Sequence, residues 1–233
     1  MTRNIVTSRH AHPKECPLGV LQSYYDRVDA KVISLGRTYR TAVGQFAPSP
    51  IIDVYAALEY LLESGAIETS GLFLDAGSGD GRIVALAALV HSLPSVGVEY
   101  DDELVGQSQQ HFENLGSLGL GGASKVILQG DFGCDDTYTQ AGIRFEDFTT
   151  VFNYVNNHEA IASKIALQSP PGTKFLLFGG FAIHKYEGLT LEQRLQMVTR
   201  REMGDSIKVD VYPDTNDTSS LRLDANYLQL YRR

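Results

Sequence analysis

The sequence predicts an α/β fold in which a doubly wound sheet, mostly parallel, closes with a C-terminal antiparallel hairpin. Three observations predict it. From residue 72 onward short apolar runs alternate with helical patterns, the first of these runs ends in a glycine-rich turn, and near the C-terminus the rhythm changes to apolar–polar alternation. Strand and helix in alternation imply right-handed crossovers and a parallel sheet covered on both faces. Period-two alternation implies half-buried antiparallel strands.

Residues 1–47 are polar and irregular, with a tyrosine-rich stretch "SYYDRVDAKVISLGRTYRTAVGQF" that suits a short helix followed by a loop. They read as a lid or an additional N-terminal layer in front of one domain spanning 48–233. That domain opens with a helix, "APSPIIDVYAALEYLLESGA", in which Val54, Ala57, Leu58, Leu61 and Leu62 recur at helical spacing and Gly65 stands where a C-terminal stop belongs. Pro48 and Pro50 set its direction. "LFLDA" is then a buried strand, "GRIVALAALVHSL" a helix, "SVGVEY" a strand, "DDELVGQSQQHFENLG" a helix and "KVILQGDF" a third strand. "TTVFNYV" is the fourth strand, "HEAIASKIALQS" a helix and "KFLLFGG" the fifth strand. In "TLEQRLQMVTRRE", Thr190 and Gln193 match a capping box and Arg200 and Arg201 a solvated helix end, so a helix is expected. "SIKVDVY" and "NYLQLYRR", separated by the turn-rich "PDTNDTSS", are the two antiparallel strands that bring the count to seven.

Composition narrows the function classes. The formal net charge of -8 makes nucleic acid an unexpected partner, since Lys31, Arg37 and Arg40 are too few to make a basic stripe. Two distant cysteines, Cys16 and Cys134, argue against a zinc site or a disulfide framework and for a reducing, cytoplasmic setting. The N-terminus has no apolar signal core and no run suits a membrane span.

The stretch "LFLDAGSGDGRIVALAALV" carries the functional signal. Gly77, Gly79 and Gly81 let the backbone turn sharply and approach a ligand, and Asp75 ends the strand beside them. A dinucleotide fingerprint would read GxGxxG; here the order is GxGxG, which weakens a nicotinamide dehydrogenase. Glu99 ends the next strand, where a carboxylate can accept both ribose hydroxyls. Asp131 at the end of the third strand can accept from an adenine amino group, and Phe132 can stack on the base.

Taken together, "LDAGSGDGR", "VGVEYD" and "QGDF" resemble the first three motifs of the class I S-adenosylmethionine-dependent methyltransferases, over roughly residues 45 to 180. The resemblance implies a Rossmann-like seven-stranded sheet with S-adenosylmethionine as cofactor. Asp75 and the backbone of Gly77, Ser78 and Gly79 would meet its methionine part, Glu99 its ribose, and Asp131 with Phe132 its adenine, with Tyr100 also in the cofactor site. "VFNYVNNHEA" resembles the "VNN" motif of the seven-strand lysine methyltransferases that modify histone, and "SGDGRIV" and "GQFAPSP" are similar to a smaller lysine methyltransferase family with a member acting on the c subunit of ATP synthase. By that resemblance Gln45, Ser49 and Asn153 belong to the cofactor site and Asn156 to the methyl-transfer channel. The long basic segment of the histone enzymes is missing here.

The resemblance implies an amine nitrogen as acceptor, a protein lysine foremost. Tyr154 and Asn156 would orient it, and His158, a carboxylate or solvent would take its proton. Asn156, Asn157 and His158 read equally well as caps of the following helix. Tyr24, Tyr25 and Tyr39 are either an aromatic wall over the site or ordinary packing. Two rivals remain: a methyltransferase of small metabolites or natural products, and a cofactor-binding partner subunit without catalysis. Neither a metal nor a membrane partner is expected.

Overall fold

The computed structural model describes residues 3–5, 16–34, 40–41, 44–179, 182–201, 207–214 and 225–233. In chain order the elements are β1 (Arg3–Ile5), α1 (Pro17–Ser34), β2 (Arg40–Thr41), β3 (Gly44–Gln45), α2 (Ile51–Glu63), β4 (Leu72–Ala76), α3 (Arg82–Leu89), β5 (Ser95–Glu99) and α4 (Asp102–Ser117). They continue with β6 (Lys125–Gln129), α5 (Asp135–Thr139), β7 (Phe148–Tyr154), α6 (His158–Gln168), β8 (Lys174–Phe178), β9 (Thr190–Arg201), β10 (Ile207–Asp214) and β11 (Asn226–Arg232).

One nine-stranded sheet has the order β1-β10-β9-β11-β8-β7-β4-β5-β6. Its core of β6, β5, β4, β7 and β8 is wholly parallel. The chain starts in the middle at β4, winds outward through β5 and β6, and returns to β7 on β4's other side. That reversal opens a crevice above the carboxyl ends of β4 and β7, where doubly wound folds bind their ligands. The expected Rossmann-like α/β architecture is therefore present.

Local signals explain the helices. α2 ends in a Schellman motif: Ala66 N donates to Leu61 O at 2.9 Å and Gly65 N to Leu62 O at 3.0 Å, with Gly65 at φ 71°. α4 starts at Asp101, whose carboxylate accepts from Glu103 N and Leu104 N, both at 3.1 Å. On one face of the sheet Leu21, Val54, Leu58, Ile83 and Leu86 of α1, α2 and α3 close on Phe152, Leu176 and Phe178. On the other, Tyr138, Ile161 and Ile165 of α5 and α6 close on Leu74, Val98, Val151 and Phe175. No helix among the described residues is long and apolar enough to cross a membrane.

Two expectations near the C-terminus need correction. The stretch from Thr190 to Arg201 is a strand, not a helix. Both of its faces are covered: Leu195 and Met197 belong to the core that α2 packs against, while Arg194, Gln196 and Val198 are buried on the other side. Thr190 consequently pairs with Arg232 and forms no capping box, and Arg200 lies 3.6 Å from Asp210 across the sheet. Long unbranched side chains gave the segment a helical look; the neighbours decided otherwise. The C-terminal antiparallel hairpin is likewise made by β9 and β10, with Val209 opposite Thr199. β11 inserts between β8 and β9 instead of pairing with β10. With β1 on the outer edge, these changes raise the count from seven strands to nine.

Candidate functional site

The glycine turn sits where β4 gives way to α3. Gly77, Gly79 and Gly81 have φ of 82°, 54° and 76°. At Gly79 a β-carbon would collide with the Phe46 ring, and at Gly81 it would come within 3.0 Å of Ser108, so both the left-handed backbone and the close approach call for glycine. The turn is tied to its neighbours. Gly77 N and Ser78 N donate to Val98 O at 2.9 and 3.0 Å, and Ser108 Oγ of α4 donates to Gly79 O at 2.9 Å.

Glu99 holds this arrangement from the end of β5. Its Oε2 accepts from Gly79 N at 2.8 Å and its Oε1 from Asp101 N at 2.9 Å, and the residue is 8% exposed. Each carboxylate oxygen has a second lone pair, so a clamped Glu99 can still accept from two adjacent hydroxyls. Asp75, 3% exposed, is pushed well above the usual carboxylate range by burial first, then by Glu99 and Asp80. A cationic group brought beside it would favour its charged form.

Beneath the turn lies an ion cluster. Arg82 Nη2 contacts Asp80 Oδ2 at 2.7 Å and Asp29 Oδ1 of α1 at 2.9 Å, and its guanidinium lies 4.8 Å from the centre of the Tyr25 ring. Tyr25 OH reaches Asp80 O at 3.4 Å. Tyr24 OH meets His111 Nδ1 at 2.8 Å. These two tyrosines thus pack α1 against α3 and α4, which is the packing reading of the pair; Tyr39 lies outside the described residues.

At the end of β6, Asp131 Oδ1 accepts from Gly133 N at 2.7 Å and Phe132 O accepts from Tyr138 OH at 2.7 Å. A β-carbon at Gly77 would lie 3.9 Å from the Phe132 ring, so this strand end does face the turn. Tyr100, 61% exposed, stands outward between them. Ser49 is buried immediately before α2. Of Gln45 only the backbone is described, paired with Arg40 in a two-stranded ribbon.

The end of β7 completes the crevice. Asn153 Nδ2 donates to Ala76 O at 2.8 Å and to Asn156 O at 3.0 Å, and Asn156 N donates to Asn153 Oδ1 at 3.2 Å. This fully buried amide therefore fastens the loop after β7 to the last residue of β4. Val155 at φ 41° and Asn157 at φ 50° are left-handed, a costly state for a β-branched residue and one that concentrates at functional sites. Asn157 occupies the N-cap position of α6 without a side-chain cap bond. Tyr154 stacks edge-on against Phe178 at 5.5 Å, and His158 Nδ1 meets Tyr186 OH at 2.7 Å.

Five participants escaped sequence reasoning. Phe46 stands inside the quoted "GQFAPSP" but nothing marked its ring as the cover of the turn. The Asp80–Arg82 pair is legible as an acid and a base two residues apart. His184 and Tyr186, in an aperiodic loop, had no local signal. A cavity of about 430 Å³ opens elsewhere, among Glu68, Thr149, Thr173 and Lys174 at the opposite end of the sheet, and none of these groups lines it.

No protein-family model and no curated protein matches the chain in sequence. Solved structures do resemble it. One, from work on the conversion of a disulfide bond into a thioacetal group during echinomycin biosynthesis, is 18% identical over 82% of this chain and 86% of its own, with a TM-score of 0.50. An RNA methyltransferase from Salinibacter ruber in complex with S-adenosyl-L-homocysteine is 22% identical over 73% and 95%, with a TM-score of 0.42. The glycopeptide N-methyltransferase MtfA complexed with S-adenosyl-L-methionine is 12% identical over 76% and 93%, also at 0.42. The expected exclusion of nucleic acid finds no support among them, and neither does a lysine-modifying subtype. At such identities the likeness shows the fold alone, a Rossmann-like architecture.

Proposed function

We propose that this chain is an S-adenosylmethionine-dependent methyltransferase. The observation that carries the reading is Glu99: backbone amides on both sides hold its carboxylate at the mouth of a glycine turn, at the carboxyl end of the strand next to β4. The residues present fit the cofactor. Glu99 would take its ribose hydroxyls, Phe132 and Asp131 its adenine, and the turn from Gly77 to Gly79 with Asp75 its methionine end. When bound, the cofactor supplies an activated methyl group on a sulfonium.

The chain's own residues have to align an acceptor and exclude water, and alignment alone can supply about 7–11 kcal/mol of the barrier. Tyr154, Asn156 and His158 are suited to that by their place at the end of β7, on the loop that Asn153 pins beside β4 and at the start of α6. The acceptor to try first is an amine nitrogen, a protein lysine foremost. The exposure of Val155, Asn156 and Asn157 favours it, since an open rim admits a side chain carried by a large partner. A small metabolite or natural product is the second reading, favoured by the half-buried aromatic groups Tyr154 and Tyr186 beside the rim.

Calorimetric titration of native, Glu99→Ala and Asp131→Ala protein with S-adenosylmethionine and S-adenosylhomocysteine tests the reading. Binding weakened tenfold or more by Glu99→Ala is expected, with a smaller loss for Asp131→Ala. A folded native protein that binds neither compound would remove the proposal. Binding without turnover on lysine peptides and on small amines and phenols would favour a partner subunit.

A further inference from the structure

Beyond β8 the chain returns over the sheet face that carries α6, and this return brings two ring side chains against His158. Tyr186 OH lies 2.7 Å from His158 Nδ1. The His184 ring is centred 4.4 Å from His158 and stacks on Tyr186 at 6.0 Å and 16°. The loop that delivers them is anchored by buried β11: His184 N donates to Gln229 Oε1 at 3.3 Å, Tyr231 OH donates to His184 O at 2.9 Å, and Gln229 Nε2 donates to Ala182 O at 2.7 Å. Tyr186 also packs edge-on against Tyr231 at 5.1 Å. Three separate segments therefore converge on one imidazole, immediately after the strained loop that Asn153 fastens to the last residue of β4.

We propose that Tyr186 is the positioning residue for His158: its oxygen accepts the Nδ1 proton, leaving Nε2 as the atom that takes a proton from the methyl acceptor. The acceptor is then a nitrogen or oxygen nucleophile that must shed a proton. This rests on the methyltransferase reading. Its N–H or O–H proton passes to His158 Nε2, and the electron pair so freed forms the bond to the methyl carbon as the carbon–sulfur bond breaks with its electrons to sulfur. The proton leaves afterwards to solvent.

The surroundings agree with this tautomer. Burial holds the Tyr186 hydroxyl far above its ordinary value, with Tyr231 and Glu159 adding to the effect, so the phenol stays neutral and can accept from Nδ1–H in both charge states of the ring. His184 is pulled down by burial and then by His158, against an opposing pull from Glu159, so the second imidazole is held neutral and does not compete for the proton. Among the described residues, the titratable groups facing the two imidazoles are Tyr186, Tyr231 and Glu159.

Imidazole nitrogen-15 NMR on the full chain tests the assignment directly. At neutral pH the native protein is expected to show His158 as the Nδ1–H tautomer, and Tyr186→Phe, which keeps the ring packing, to lower that population at least threefold toward Nε2–H. Carbethoxylation of His158 by diethyl pyrocarbonate should slow to a similar extent in Tyr186→Phe. A native Nε2–H tautomer, or a tautomer ratio unmoved by Tyr186→Phe, overturns the proposal. S-adenosylhomocysteine affinity, measured in parallel, should match in native and Tyr186→Phe protein. Its absence from both would defeat the methyltransferase reading while leaving the tautomer result to decide the role of Tyr186.

Discussion

At the scale of single residues, the site depends on side chains that serve backbone. Glu99 satisfies two buried amides and Asn153 three groups of the loop and strand, so each shapes the crevice before any ligand arrives. Glu99→Ala strands both amides and should cost about 1–3 kcal/mol of stability in addition to its effect on binding. His91 offers a pH test away from the site. It stacks on Tyr55 at 5.2 Å, its Nδ1 lies 3.3 Å from Glu59 Oε2, and burial draws it from 6.5 down to about 4. With the imidazole drawn down, the contact is not an ion pair at neutral pH, and burial also raises Glu59. A lowered folded-state value means that the unfolded chain takes up the proton first. The stabilisation is therefore complete above pH 6.5 and drains away as pH falls toward 4, by about 3 kcal/mol at most. Urea midpoints at pH 7 and pH 4.5 should diverge more for native protein than for His91→Phe, which keeps the stacking without the titration. Glu59 titrates in both proteins, and its opposite contribution largely cancels in the comparison.

Elements are joined by a few polar contacts whose burial ranks them. α1 reaches the glycine turn through Asp29, Arg82 and Asp80, with side-chain exposures of 31%, 5% and 3%. Removing the charge of Asp80 leaves a buried guanidinium undercompensated, which costs about 3–5 kcal/mol. Removing that of Asp29, partly exposed, costs about 1 kcal/mol or less. Asp80→Asn should therefore lower the urea midpoint far more than Asp29→Asn, while hydrogen exchange in Asp29→Asn should show α1 alone losing protection. Equal losses from the two would mean that the cluster does not act as a graded tether. α2 is held differently: Asp53 in its first turn accepts hydrogen bonds from Thr199 of β9 and, at 2.9 Å, from Asn226 of β11. No reading of the α2 stretch alone could find those partners, because both arrive from more than 140 positions away.

For the whole molecule, one sheet separates two cores, and aromatic stacking spans its middle strands. Phe152 of β7 is fully buried between Phe73 and Phe178, with ring centres 6.3 and 6.2 Å away. Phe152→Ala should cost about 3–5 kcal/mol and still unfold in one transition, with far-ultraviolet circular dichroism and tyrosine fluorescence coinciding. Separate transitions would show that the parallel half and the antiparallel half fold independently. The sequence by itself determined the parallel core, the glycine turn and the acids at the ends of β5 and β6, because local rules govern them: short apolar runs bounded by turns make buried strands, and left-handed backbone at a ligand-facing turn demands glycine. Only the tertiary structure decided that Thr190–Arg201 is a strand, that β11 enters between β8 and β9, and that Tyr186 meets His158. The physical reason is range: a strand's partners and a side chain's hydrogen bond across the fold depend on groups far away in sequence, and their energies outweigh the small intrinsic preferences that a local pattern records.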